Sequence, residues 1–282
     1  MQARLVLGFV VMAIGAGCGK HETSAPHATV TVDVRGQGTR DIAAADFADG
    51  WQVRFDRFRL APTFGVDETF DNRKHDGYEP VIGPEGYIYG GDELELSDPA
   101  VVPAFSAWTI AGRSMGWGMH LRRLPARREG PRPEASLEVE GEATGPEAQV
   151  VRFWWLFTTE LMFAHCLPAG RPALVLPEDG ELEVHVVLDG KALFGSKLGT
   201  DAELRFAALA AADTDQDGMV TTDELLATTL EGVEHDSVGG VTNLHELLSA
   251  RLASLVAPEY TCQVDAALAG AVDADEAEPG LP

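Results

Sequence analysis

The chain has 282 residues, 45% of them apolar, and a formal net charge of −24 from 21 basic and 45 acidic side chains. That length and apolar content can bury a sizeable core, so one main domain with an appendage is expected. The acidity is uneven: from Asp201 to the end, 17 acidic residues stand against two basic ones, Arg205 and Arg251, which argues against nucleic acid or anionic lipid as the partner of this end and favours a bound cation.

The first residues read as an export signal. Arg4 precedes an apolar run from Leu5 to Ala16, too short to span a bilayer, which closes in the small residues Gly15-Ala16-Gly17 before Cys18. A cysteine directly after small residues resembles the lipobox of bacterial lipoproteins, with Gly15 standing where that pattern usually has leucine and Ile14 one step further out. The resemblance implies a signal peptide over 1–18, lipidation at Cys18, and a protein anchored in the membrane of the cell envelope, facing the periplasm or the cell surface. Residues 19–28, polar and with a proline, read as a tether.

From 29 to 200 the pattern is that of strands. Residues 28–34 alternate apolar and polar, as do 51–60, where Trp51, Val53 and Phe55 share a face and Phe58 and Leu60 follow after a one-residue slip that predicts a bulge. Further strands are expected at 87–89, 106–111, 135–141, 150–158 and 181–188, separated by Gly, Pro and Asp clusters. In 150–158 the aromatic run puts Phe153, Trp155 and Phe157 on one face and Trp154 and Leu156 on the other, which fits a central strand covered on both sides. Strands spaced this way without long helices between them point to an antiparallel sandwich or barrel.

After Asp201 the chain turns helical. Residues 203–212 read as one helix, 224–230 as the next, and 242–256 as a third with Leu244, Leu247, Leu248, Leu252, Leu255 and Val256 on one face and Pro258 ending it. With Cys18 lipidated, Cys166 and Cys262 remain in a chain outside the reducing cytoplasm, and a disulfide between them would staple the 201–262 unit to the strands. Residues 263–282, acidic and small with two prolines, read as a disordered tail. The expected fold class is α+β: a β-rich domain followed by a small helical unit.

Between the first two of those helices, residues 213–224 read Asp-Thr-Asp-Gln-Asp-Gly-Met-Val-Thr-Thr-Asp-Glu. Asp213, Asp215 and Asp217 occupy positions 1, 3 and 5 of a twelve-residue loop, Gly218 position 6, Met219 position 7, Val220 position 8, Thr221 position 9 and Glu224 position 12. This resembles the calcium loop of the EF-hand family at every one of those positions. A hard cation takes six to eight oxygens, so alternate carboxylates on a curled chain can point inward, with a glycine at the sharp bend. The resemblance implies Ca2+ held by the three aspartates, the Met219 carbonyl, Thr221 through a water, and both oxygens of Glu224. EF-hands usually pair, but residues 234–245 keep only fragments of the pattern, Gly239 at position 6 and Val241 at position 8, with Val238 at 5 and His245 at 12. A single loop suits weak binding of a structural ion beside a β domain that binds a partner or serves a structural role, and no enzyme is expected.

Two other chemistries are written more faintly. Met115, Met119 and His120 lie close together and His165 adjoins Cys166, a set that suits copper and opens the alternative of a periplasmic copper-handling lipoprotein. Gly112-Arg-Ser-Met-Gly116 matches the nucleophile elbow of hydrolases around Ser114, although Trp-Gly-Met-His-Leu-Arg-Arg follows it in place of a helix. The arginines between 113 and 132, interleaved with prolines, read as a solvated loop.

Overall fold

The computed structural model describes residues 27–67, 87–88, 93–98, 102–110, 114–123, 134–171, 174–175, 177, 180–196, 202–231, 233 and 241–265. The expected signal and Cys18, nearly all of the tether, the arginine-rich stretch 124–133, residues 234–240 and the tail from 266 lie outside the described residues.

In chain order the strands are β1 (His27–Gln37), β2 (Asp41–Ile42), β3 (Gln52–Leu60), β4 (Pro62–Asp67), β5 (Tyr87–Ile88), β6 (Leu94–Glu95), β7 (Val102–Ile110), β8 (Ser114–Leu121), β9 (Leu137–Thr144), β10 (Val150–Phe157), β11 (Leu161–Pro168), β12 (Leu174–Val175), β13 (Gly180–Asp189), β14 (Met219–Thr221) and β15 (Tyr260–Asp265). The helices are short: α1 (Ala207–Ala210), α2 (Thr222–Ala227) and α3 (Leu244–Arg251). The protein is thus β-rich with few helices, as composition and patterning predict.

The strands form three sheets, one ordered β13-β1-β7, one ordered β14-β10-β9-β3-β2 with β6 on β3, and one ordered β15-β11-β8-β4-β5 with β12 on β8. The chain crosses from the second sheet to the third at Ala61, whose N–H donates to the Ser136 carbonyl at 3.1 Å and whose carbonyl accepts from Arg122 N–H at 3.1 Å. Most pairings are antiparallel, but β1–β13 and β10–β14 run parallel. A strictly antiparallel domain is therefore not what forms: an alternating pattern says which side chains point inward and nothing about strand direction.

Alternation does place the core. Val30, Val32 and Val34 of β1, Val53, Phe55, Phe58 and Leu60 of β3, and Phe153, Trp155 and Phe157 of β10 join one buried cluster with residues of all three sheets. The slip expected in β3 is present as a register shift between Phe55 and Arg57 against β9. Opposite it lies Gly141, where a Cβ would sit 2.2 Å from the Arg54 carbonyl oxygen, so the two strands meet there only because that residue has no side chain. On β10 the second face is not covered as expected, since Trp154 is 39% exposed.

Residues of the C-terminal third, among them Phe206, Val220, Leu225 and Leu248, join this core. Phe206 is fully buried, its ring 5.1 Å from Trp51, 5.7 Å from Phe194 and 6.0 Å from Phe153. The chain ahead of it is not helical: Leu204 bridges Phe47 and Gly195, and the helix expected over 203–212 shrinks to the four residues of α1. In α3, Leu244, Leu247 and Leu248 are buried as predicted, Asn243 caps the start by accepting from Glu246 N–H, and the helix tightens into a 3-10 turn at Leu252–Ser254. β15 then lies on β11, and Cys262 is bonded to Cys166 across 96 positions. Among the described residues no helix is long and apolar enough to cross a membrane.

Candidate metal site

The loop 213–224 leaves α1 through Ala211 and Ala212, bends at Gly218, runs as β14 and enters α2 at Thr222. Gly218 has φ +81°, a left-handed conformation that a Cβ would strain even though nothing lies within 4 Å of where that atom would be. Gln216 shares that region at φ 61°, so the chain curls twice within three residues. The curl turns backbone N–H groups toward carboxylates. Asp213 accepts from Asp217 N–H at 3.1 Å on one oxygen and from Gly218 N–H at 3.0 Å on the other, Asp215 accepts from Asp217 N–H at 3.2 Å, and Asp217 accepts from Met219 N–H at 2.7 Å.

Glu224 closes the loop from α2. One carboxylate oxygen accepts from Thr214 N–H at 3.0 Å and the other from Thr221 N–H at 2.8 Å and the Thr221 hydroxyl at 3.0 Å. Thr221 Oγ1 in turn accepts from Glu224 N–H at 3.3 Å, making the reciprocal capping box that starts α2. Burial raises the Glu224 pKa, but the Thr221 N–H, the Thr221 hydroxyl and the amides of Thr214 and Asp215 outweigh it and hold the carboxyl below its usual range. The group is therefore ionised at neutral pH.

Asp213, Asp215 and Glu224 each offer a carboxylate oxygen, and these three atoms lie within 4.8 Å of one another. Three anionic oxygens converging on one point suit a hard divalent cation, which would replace their mutual repulsion with attraction. Asp217 and Thr221 lie in the same loop with their side chains turned to the Met219 amide and the α2 cap, and Met219 begins β14.

The other candidate residues lie elsewhere. Ser114 opens β8, and strand, not helix, follows it. Met119 is fully buried, while its neighbour His120 points to the opposite face of β8. Cys166 spends its sulfur in the disulfide. The Met115 side chain and residues 234–240 are outside the described residues.

Sequence patterning placed Trp155 on a covered face without its tie to the loop, and passed over Thr222. The Trp155 indole N–H donates to the Val220 carbonyl at 3.1 Å, and the Thr222 hydroxyl accepts from Leu156 N–H at 2.9 Å. A tryptophan in a core strand needs a partner for its N–H, and that requirement is the one signal the sequence holds. Compared with known proteins, the chain matches no family model and shows no detectable similarity to a curated protein, so the EF-hand resemblance rests on 213–224 and its flanks alone.

Proposed function

We propose that the protein is a calcium-binding lipoprotein of the cell envelope, in which the single EF-hand-like loop 213–224 holds a structural Ca2+ beside a β-rich binding or structural domain. The observation that carries the reading is the convergence of Asp213, Asp215 and Glu224 within 4.8 Å on a loop whose glycine adopts the backbone conformation the bend requires. Asp217, the Met219 carbonyl and Thr221 complete the ligand set when the loop closes on the ion. The Cys166–Cys262 disulfide supports export, because such bonds persist outside the reducing cytoplasm. Lipid attached at Cys18 would hold the domain at the membrane.

An ion that binds only the folded chain stabilises it, by about 2.7 kcal/mol when its concentration is a hundred times Kd. A single loop of this type is expected to bind with Kd of about 10⁻⁵ to 10⁻³ M. Thermal melting of the mature chain carrying Cys18→Ser, in chelator and then in millimolar Ca2+ or Mg2+, tests the reading. A rise in Tm selective for Ca2+ and lost in Glu224→Gln is the expected result; no shift at saturating Ca2+ refutes it.

A further inference from the structure

β14 is three residues of the loop itself, and it lies in parallel on β10 with Met219 opposite Arg152, Val220 opposite Phe153 and Thr221 opposite Trp154. Arg152 N–H donates to the Gly218 carbonyl at 2.9 Å, and beyond the ladder Leu156 N–H donates to Thr222 Oγ1. Val220, at loop position 8, is fully buried, and its carbonyl takes the Trp155 indole. In the sheet order β14-β10-β9, this short strand covers the β10 edge at Arg152–Trp154, and further along His245 of α3 bonds the Leu156 carbonyl at 2.9 Å.

We infer that the edge of β10 is the structural partner of the calcium loop, so that ion occupancy and the docking of β14 on β10 form one linked equilibrium. The inference rests on the calcium reading above and extends it: the ion seals a sheet edge. The coupling is physical at each end. The bend at Gly218 supplies both the curl that gathers the carboxylates and the carbonyl that accepts from Arg152. The Thr221–Glu224 capping box fixes a metal ligand and starts the helix whose first residue, Thr222, accepts from Leu156. Opening the loop to release the ion therefore frees the β10 amides, and holding the ion keeps them bonded.

Alternate residues of a strand send their N–H groups to opposite neighbours, so Arg152 and Leu156 report on the loop while Phe153 and Trp155 face β9 and serve as the internal reference. The experiment is residue-resolved amide hydrogen exchange on the mature chain with Cys18→Ser, with Ca2+ binding measured separately by calorimetry. At Ca2+ ten times Kd, exchange at Arg152 and Leu156 is expected to slow about ten-fold relative to chelator, and more than at the reference amides. The variant Thr222→Val, which keeps side-chain shape and removes the acceptor, is expected to speed exchange of the Arg152 amide about five-fold in chelator, because both contacts open together. If calorimetry shows Ca2+ binding and the Arg152 and Leu156 rates stay unchanged, the inference is overturned while the calcium reading stands. An unchanged Arg152 rate in Thr222→Val overturns it too. Absence of Ca2+ binding removes the reading and the inference with it.

Discussion

Asp49 and Phe206 are 157 positions apart, yet one oxygen of the Asp49 carboxylate accepts the Phe206 backbone N–H at 2.7 Å and the Ala207 N–H at 2.8 Å. The residue follows the first strands of the chain and caps the segment that leads into the candidate metal loop. It satisfies amides that a helix start leaves unpaired, and it does so where Phe206 enters the aromatic core. Asp49→Ala should lower stability by about 1–2 kcal/mol. The corresponding fall in Tm is about 3–6 °C. Asp49→Asn, which keeps an acceptor, should lose less. Equal losses in the two variants would mean that the capping bonds are not what holds this segment.

The disulfide fastens the other end of the same third. Cys166 on β11 is fully buried and Cys262 lies on β15, the last described strand. Closing a loop of 96 positions restrains the unfolded chain strongly, and in the chain-entropy model a loop near that size contributes about 4–5 kcal/mol. Cys262→Ser should therefore lower the urea midpoint with little change at the 213–224 loop, which keeps its own contacts with β10. A variant as stable as the parent chain would show that β15 holds to β11 without the bond.

How far the sequence reaches differs between pattern and pairing. Hydrophobic patterning located β1, β3, β5, β7, β9, β10 and β13 and even the slip in β3, because burial on one face imposes a period of two. It missed β4, β8, β11, β14 and β15. β8 reads Ser-Met-Gly-Trp-Gly-Met-His-Leu, and its two glycines lack the side chains that would mark alternation. β14 is three residues long and exists because β10 offers an edge, a tertiary cause with no local signature. The helix expected over 203–212 failed for a related reason: helix-forming alanines lost to the burial of Phe206, which the periodicity of that segment does not encode. The candidate metal loop stood out because its carboxylate spacing is a local pattern in the sequence, whereas its attachment to Trp155 and Thr222 is set by the fold.

Gly141 offers a test of the bulge that the pattern did reveal. A Cβ there would meet the Arg54 carbonyl oxygen at 2.2 Å, the end of the Phe153 ring at 2.7 Å and Phe55 Cα at 3.0 Å. Two of those neighbours are backbone atoms of the paired strand and cannot rotate away. Gly141→Ala should destabilise by about 1–3 kcal/mol, the range expected for forcing extra volume into a packed site. Because Phe153 lies next to the β14 pairing, the same variant should also perturb near-ultraviolet circular dichroism of the aromatic cluster. An unchanged melting temperature would mean that β3 and β9 can part there at no cost.

Glu138 gives the clearest pH dependence. Its side chain on β9 is 7% exposed, and its carboxylate accepts from Arg57 at 3.0 Å, from Arg59 and from the Trp154 indole N–H at 3.2 Å. Burial pushes its pKa up, but the Trp154 donor and the two guanidiniums outweigh burial and hold the carboxyl below its ordinary value of 4.5. The folded protein therefore favours the ionised form more than the unfolded chain does. The resulting stability is fully present above that unfolded value and is lost as pH falls through the lower folded one. Glu138→Gln removes the charge and keeps the shape. At neutral pH it should cost about 1–3 kcal/mol, since the guanidiniums lose an ionic acceptor in a poorly solvated place. Below the ordinary carboxyl range, where Glu138 itself becomes protonated, the difference between the two proteins should shrink. Urea unfolding of both at a series of pH values measures that difference directly and cancels the titration of the many other carboxylates. A gap that stays constant from neutral pH into the acid range would mean that Glu138 titrates alike in the folded and unfolded chains, and that its arginine contacts contribute no ionic stability.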